Sequence, residues 1–220
     1  VKAHNADIGV ALDGDGDRLV AVDETGSALT GDQIVASIAL DLKYRGKLKP
    51  AMVVTTIMSN MGLRMVLSEN NITHIQAGVG DRNVVMAMRD SGALLGGEDS
   101  GHVVFLDKHT TGDGLFTMVR LMSVMALCKK RLSELRAEMT VLPQVLLNVP
   151  VTFKPDLETL NMVTTEIAAA EKALDGKGRV LVRYSGTQPQ CRVMVESLNT
   201  EDTRFFCGKI AEVIKTTIGS

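Results

Sequence analysis

The sequence has no tryptophan, two tyrosines and five phenylalanines, so the aromatic platforms on which single-stranded nucleic acid stacks are scarce. It also lacks a cationic excess: 24 Lys and Arg against 26 Asp and Glu leave a net charge of −2, without the basic footprint that phosphate backbones require. Nucleic acid is therefore not an expected partner. Cys128, Cys191 and Cys207 are odd in number, lie far apart and form no Cys-x-x-Cys. That spacing points to buried free thiols in a reducing compartment, which agrees with a cytoplasmic location. No run of about 18 apolar residues exists, so no membrane span is expected. No signal peptide opens the chain. It begins Val1-Lys2-Ala3-His4, without an initiator methionine and directly in a structured run, as a fragment of a longer protein is expected to. Its 220 residues suggest one large or two small domains, and an apolar fraction of 45% is ample for a core.

Against these absences, one stretch is dense in charge. Asp13-Gly14-Asp15-Gly16-Asp17-Arg18 places carboxylates at every second position with glycine between them. Ile8-Gly9-Val10-Ala11-Leu12 leads in, and Leu19-Val20-Ala21-Val22 leads out. Alternate residues of an extended chain share a face, and the glycines let the backbone fold so that the carboxylates Asp13, Asp15 and Asp17 converge. A solvated acidic turn fits poorly between two apolar strands. An EF-hand matches the aspartate spacing, but Arg18 occupies the position that needs glycine, and the flanks read as strands. A small Mg²⁺ site, completed by a phosphate oxygen of a substrate, is the favoured reading, with Arg18 as a fixed positive charge beside it.

Along the chain, a turn at Thr25-Gly26-Ser27 precedes a helix expected over residues 31–45, with Asp32 as its N-cap. Strands are expected at 52–55, 72–77, 93–96 and 103–106, alternating with helices at 60–69, 81–90, 114–130 and 133–139. This alternation predicts a complete α/β domain over residues 30–141 with a mostly parallel sheet. Residues 1–29 read as the end of a preceding α/β domain. Pro143 and Pro150 frame a composition shift, after which residues 142–220 predict a small α+β domain of β-α-β-β-α order. Its helices are expected at 156–174, capped by Asp156, and 201–217, capped by Thr200. Met118, Met122 and Met125 recur at helical spacing and read as core filler.

Two further loops carry chemistry. Gly97-Glu98-Asp99-Ser100-Gly101-His102 follows a buried strand, where ligand sites of open α/β sheets lie. Glu98 and Ser100 suit sugar hydroxyls or an amine, and His102 suits a phosphate; a plain polar turn is an equal alternative. In Arg183-Tyr184-Ser185-Gly186-Thr187-Gln188-Pro189-Gln190-Cys191-Arg192, two arginines bracket hydroxyl donors and a glycine, a pattern suited to an anion such as phosphate. No Gly-Lys-Ser/Thr is present, so this is not a nucleotide P-loop. Gly80-Asp81-Arg82 and Asp113 read mainly as helix starts, with Asp81 and Asp113 as caps.

In order and spacing, residues 13–18, 97–102 and 183–192 resemble the metal, sugar and phosphate loops of the phosphohexose mutases. Met58-Ser59-Asn60-Met61-Gly62-Leu63, Val79-Gly80-Asp81-Arg82, Thr110-Thr111-Gly112-Asp113-Gly114 and Pro143-Gln144-Val145-Leu146 extend the likeness over essentially the whole chain, and it is nearest to members acting on glucosamine phosphates. Mutases of mannose or glucose phosphates, or a non-catalytic phosphosugar-binding module, are the alternatives. The resemblance implies the end of the second, all of the third and the fourth of four domains. It also implies a phosphosugar substrate, the missing N-terminal mutase domains as partners, and room for a homodimer of the parent. It assigns Mg²⁺ to Asp13, Asp15 and Asp17, a catalytic role to Arg18, and substrate contacts to Glu98, Ser100, His102, Asp81 and Arg82. It assigns phosphate contacts to Arg183, Ser185, Gly186, Thr187 and Arg192. The serine that carries the transferred phosphoryl group in the family lies in the first domain, and no Ser-His loop of that kind occurs in this sequence. Tyr184, Gln188 and Asp99 depart from the family pattern, which more often has a small residue, Glu and, in the glucosamine branch, Gln.

Overall fold

The computed structural model describes residues 1–219. It divides into two compact units, Val1–Val141 and Leu142–Ser220.

In the first unit, β1 (Ile8–Leu12) and β2 (Leu19–Asp23) form an antiparallel ribbon around the acidic loop. Then follow α1 (Gly31–Tyr44), β3 (Met52–Thr56), α2 (Met61–Glu69), β4 (Thr73–Ala77) and α3 (Asp81–Ser91). After these come β5 (Leu95–Gly97), β6 (Val103–Phe105), α4 (Gly114–Cys128) and α5 (Leu132–Ala137). The sheet order is β4-β3-β5-β6, with β3 parallel to both neighbours and β6 antiparallel to β5. It is a mixed sheet in a mixed α/β fold, as the alternation of elements predicts. Successive residues of a strand point to opposite faces. Val53 accordingly packs with Ile34, Ile38, Leu63 and Leu121 of α1, α2 and α4, while its neighbour Val54 packs with Val84 and Met88 of α3. Helices on both faces explain why the central strand reads as an apolar run rather than an alternating one. Leu19 and Ala21 of β2 join the α1 side of this core, which seats the ribbon on the unit.

The second unit contains β7 (Gln144–Pro150), α6 (Asn161–Leu174), β8 (Gly178–Tyr184), β9 (Gln190–Ser197) and α7 (Thr200–Ile218). Its sheet is antiparallel in the order β7-β9-β8. Cys191, Val193 and Val195 of the central strand pack with Val163 and Ala170 of α6 and with Cys207, Ile210 and Ile214 of α7. Among the described residues, no helix is long and apolar enough to cross a membrane.

Several element ends differ from expectation. Helix α1 is capped by Thr30, not Asp32: Thr30 Oγ1 accepts from the Gln33 N–H and Gln33 Oε1 accepts from the Thr30 N–H. Asp32 is buried and accepts from the Asn60 N–H at 2.5 Å. Asp156 caps only the one-turn helix Leu157–Thr159, and α6 starts at Asn161. Asn199, not Thr200, caps α7 by accepting from the Glu201 N–H. For α1 the Thr30-x-x-Gln33 spacing is itself the capping-box signal that the Asp32 reading passed over. Met118 and Met125 pack on the core, but Met122 is exposed. Cys128 is likewise exposed, and only Cys191 and Cys207 are buried.

Candidate functional site

The acidic loop closes on itself. Gly16, at φ 74°, donates its N–H to the Asp13 carbonyl, and the Arg18 N–H donates to Asp13 Oδ1 at 3.1 Å. Asp13, Asp15 and Asp17 each present a carboxylate oxygen within 4.8 Å of the others. Arg18 Nε lies 3.6 Å from Asp13 Oδ2 and 3.9 Å from Asp17 Oδ1. Desolvation pushes the Asp13 carboxyl up, but the hydrogen bond from the Arg18 N–H and the Arg18 charge hold it below the usual carboxylate value. Asp17 Oδ1 is buried and has no hydrogen-bond partner. A buried carboxylate oxygen without a donor is costly, and three converging carboxylates form an oxygen donor set that fits a hard divalent cation.

The turn between β5 and β6 is locked against this loop. The Leu19 N–H donates to the Gly101 carbonyl at 3.1 Å, and Arg18 pairs with His102 as an isolated bridge. Gly101 sits at φ 90°, and a Cβ there would lie 2.2 Å from the Leu19 carbonyl oxygen, so only glycine fits. Glu98 Oε1 accepts from the Gly80 N–H at 3.0 Å, which draws the turn containing Asp81 and Arg82 to the same edge. Asp81 and Arg82 are exposed. Asp81 does not cap α3: Gly80 holds the cap position, and Asp81 Oδ1 accepts only from the Arg82 N–H next to it. Ser100 is exposed at the tip of the turn. Asp99 turns toward α1, accepting the Gly31 N–H on its carbonyl and the Asp32 N–H on Oδ1.

His102 does not reach outward as expected for a phosphate contact. It is 2% exposed, with Nδ1 3.0 Å from Asp17 Oδ2 and Nε2 accepting from the Gly112 N–H at 3.1 Å. Gly112 and Gly114 also shape the site, and the sequence reading gave them no role beyond opening a helix. The Gly114 N–H donates to the Gly16 carbonyl at 2.9 Å, and a Cβ on Gly114 would lie 2.7 Å from the Arg18 carbonyl oxygen. The visible signal was the glycine spacing in Thr110-Thr111-Gly112-Asp113-Gly114, of which only the Asp113 cap was legible; Asp113 does accept from the Phe116 N–H.

In the second unit, Arg183 and Arg192 are directly paired across β8 and β9, so their side chains share a face. Burial lowers the Arg183 pKa, and the Arg192 charge lowers it further. Arg192 Nε is buried without a hydrogen-bond partner. Like charges directly opposite destabilise a sheet unless something anionic lies between them. Ser185 is 3% exposed, and its Oγ accepts from the Gln188 N–H at 3.3 Å, so its acceptor side serves the loop itself. Gly186 and Thr187 are exposed beyond it. Lys154, which no motif indicated, donates from Nζ to the Ser185 carbonyl at 2.6 Å.

Fold and loops together define a class: a three-layer α/β/α unit whose polar turns gather at one edge, followed by an antiparallel α+β unit with its own arginine loop. Residues 30–142 match the α/β/α domain III of phosphoglucomutase/phosphomannomutase, and residues 146–213 match the C-terminal domain of the same family. The chain belongs to the phosphoglucomutase/phosphomannomutase family, as its motifs suggest. It is 50% identical over 219 residues to the phosphoglucosamine mutase of Syntrophobacter fumaroxidans and 48% identical to that of Bacillus subtilis, with 100% of this chain covered in both alignments. It spans about half the length of these curated relatives, 49% of each. Among solved structures, the N-acetylphosphoglucosamine mutase of Aspergillus fumigatus in complex with GlcNAc-6P and magnesium shares the fold. Its TM-score is 0.78 at 21% identity, covering 93% of this chain and 51% of the other.

Proposed function

We propose that this chain supplies the cation, sugar and phosphate loops of a phosphoglucosamine mutase, which interconverts glucosamine 6-phosphate and glucosamine 1-phosphate through a bisphosphorylated sugar. The observation that carries the reading is the joint between the acidic loop and the Glu98–Ser100 turn, made by the Leu19–Gly101 and Asp17–His102 hydrogen bonds. It brings three carboxylates suited to a divalent cation beside polar groups suited to a sugar, which supports this reading. The identity to named phosphoglucosamine mutases supports the choice of sugar.

On this reading residues 1–29 end the second mutase domain, residues 30–141 form the third and residues 142–220 the fourth. Asp13, Asp15 and Asp17 would hold Mg²⁺, which when bound neutralises charge on a transferring phosphoryl group. Arg18 adds a positive charge at the same loop. Glu98 and Ser100 orient the sugar ring, with Asp81 and Arg82 beside them. Arg183, Ser185, Gly186, Thr187 and Arg192 anchor the phosphate that is not reacting, and such remote anchoring raises rate by positioning. The phosphoryl-carrying serine belongs to the part of the relatives' length that this chain does not span. The compartment is the cytoplasm, where membrane-impermeant sugar phosphates are held.

Titration of glucosamine 6-phosphate in the presence of EDTA, with NMR shifts followed at Ser185 and Thr187, tests the phosphate loop. Arg183→Ala should weaken binding by about 1.5–3 kcal/mol, roughly ten- to a hundredfold. Arg183→Lys should recover only part, because the charge is kept and the planar fork is lost. Equal binding by all three proteins, or shifts confined to the Asp13–Asp17 loop, would overturn the assignment. Turnover by the purified chain alone would show that a phosphoryl carrier lies within it.

A further inference from the structure

His102 enters the core at the start of β6, and its ring is held from both sides. The Gly112 N–H points at Nε2, so Nε2 is the acceptor and carries no proton. The ring proton therefore sits on Nδ1 and is donated to Asp17 Oδ2 at 3.0 Å. This leaves Asp17 with its two oxygens in different states: Oδ2 satisfied by the imidazole, Oδ1 buried with no hydrogen-bond donor. Arg18 Nε, at 3.9 Å from Oδ1, is beyond hydrogen-bonding distance.

We infer that His102 is a positioning residue of the cation site: by donating to one oxygen of Asp17, it fixes the carboxylate plane and directs the other oxygen toward the cation. The inference rests on the reading of Asp13, Asp15 and Asp17 as a divalent-cation site. Carboxylate ligands are commonly oriented by a hydrogen bond from behind, and loss of such a partner costs metal affinity without removing a ligand. Here the partner comes from the sugar turn. The same turn shares backbone contacts with the acidic loop through Leu19–Gly101 and Arg18–His102. Gly112 completes the seat. A Cβ there would lie 2.4 Å from the imidazole Cε1, so the backbone approaches the ring as closely as glycine permits. His102 therefore holds the Asp17 rotamer with no need to touch the substrate.

A purely structural imidazole would sit in the same place, so the test must separate its two hydrogen bonds. His102→Asn puts an amide N–H where Nδ1 is, keeping the donation to Asp17 and losing the acceptor for Gly112. His102→Gln reaches the Nε2 position, keeping an acceptor for Gly112 and losing the donor to Asp17. The probe is Mn²⁺ alone, titrated into the 220-residue chain by electron paramagnetic resonance and displaced with Mg²⁺, with denaturation midpoints measured in parallel. His102→Gln should weaken the cation roughly ten- to a hundredfold, the range for partners of metal ligands. His102→Asn should stay within a few-fold of wild type, whatever stability it loses. If both variants bind like wild type, or if both weaken alike, the ring serves packing and the inference is overturned. Asp15→Asn is the separate control. If it takes up Mn²⁺ as wild type does, the cation reading fails, and the role given to His102 falls with it.

Discussion

Cys191 and Cys207 lie inside the second unit's core, where burial pushes both thiols up, Cys191 to about 11. Cys128 is exposed, but desolvation and the nearby Asp41 carboxylate raise it as well. Since the thiolate is the reactive form, a disulfide reagent at pH 8 should label Cys128 alone and more slowly than free cysteine. The other two should react only on unfolding, and labelling of Cys191 in the folded protein would contradict the packing. Asp23 makes a second residue-scale prediction. It is fully buried; Oδ1 accepts from the Thr25 N–H, the Thr25 hydroxyl and the Ser27 N–H, and Oδ2 accepts from Arg136 Nε at 2.7 Å. Burial raises its pKa, but these donors outweigh it and lower the folded value below 3.8. The carboxylate therefore contributes stability above the unfolded value, and that contribution is lost as pH falls through the folded one. Asp23→Asn should cost about 2–4 kcal/mol at pH 7 by urea denaturation, Arg136 being partly exposed. The gap from wild type should narrow as pH drops below 3.8; a constant gap would show that the charge is not what matters.

At the scale of elements, the turns decide how the first unit closes. Gly101 and Gly46 both have positive φ, at 90° and 65°, but only Gly101 has a neighbour in the way. Gly46→Ala should cost about 1 kcal/mol, the conformational penalty alone. Gly101→Ala must also push Leu19 aside, separating β2 from the β5–β6 turn, and should cost more than about 2 kcal/mol. Equal losses in chemical denaturation would show that the close approach at Leu19 is not restrictive. Helix α1 starts at a reciprocal cap, so Thr30→Ala should destabilise by about 1 kcal/mol, while Asp32→Asn should act through the Asn60 N–H instead.

For the molecule as a whole, each unit has its own hydrophobic cluster. The unit Leu142–Ser220 packs the apolar stripes of α6 and α7 with one antiparallel sheet and is expected to fold when expressed alone. Dispersed amide resonances and a cooperative thermal transition would bear this out; a collapsed spectrum would show that its core is incomplete.

The order of strands and helices, the α/β and α+β character of the two parts and the presence of three polar loops at strand ends were legible in the sequence. Periodicity, glycine turns and charge spacing are local properties of the chain. Membership in the family followed from the same loops taken together. Three things were decided only by tertiary structure. Asp32 turned from a capping role to the buried Asn60 N–H, 28 residues further on, leaving the cap of α1 to Thr30. His102 turned inward, because the β5–β6 turn packs under the acidic loop and Gly112 gives the ring a donor there. Arg183 and Arg192 came face to face through the register of β8 and β9, which depends on pairing across the sheet rather than on either strand alone. Side-chain type and spacing are written along the chain; which atom a buried polar group meets depends on segments far apart in sequence, and only their packing sets it.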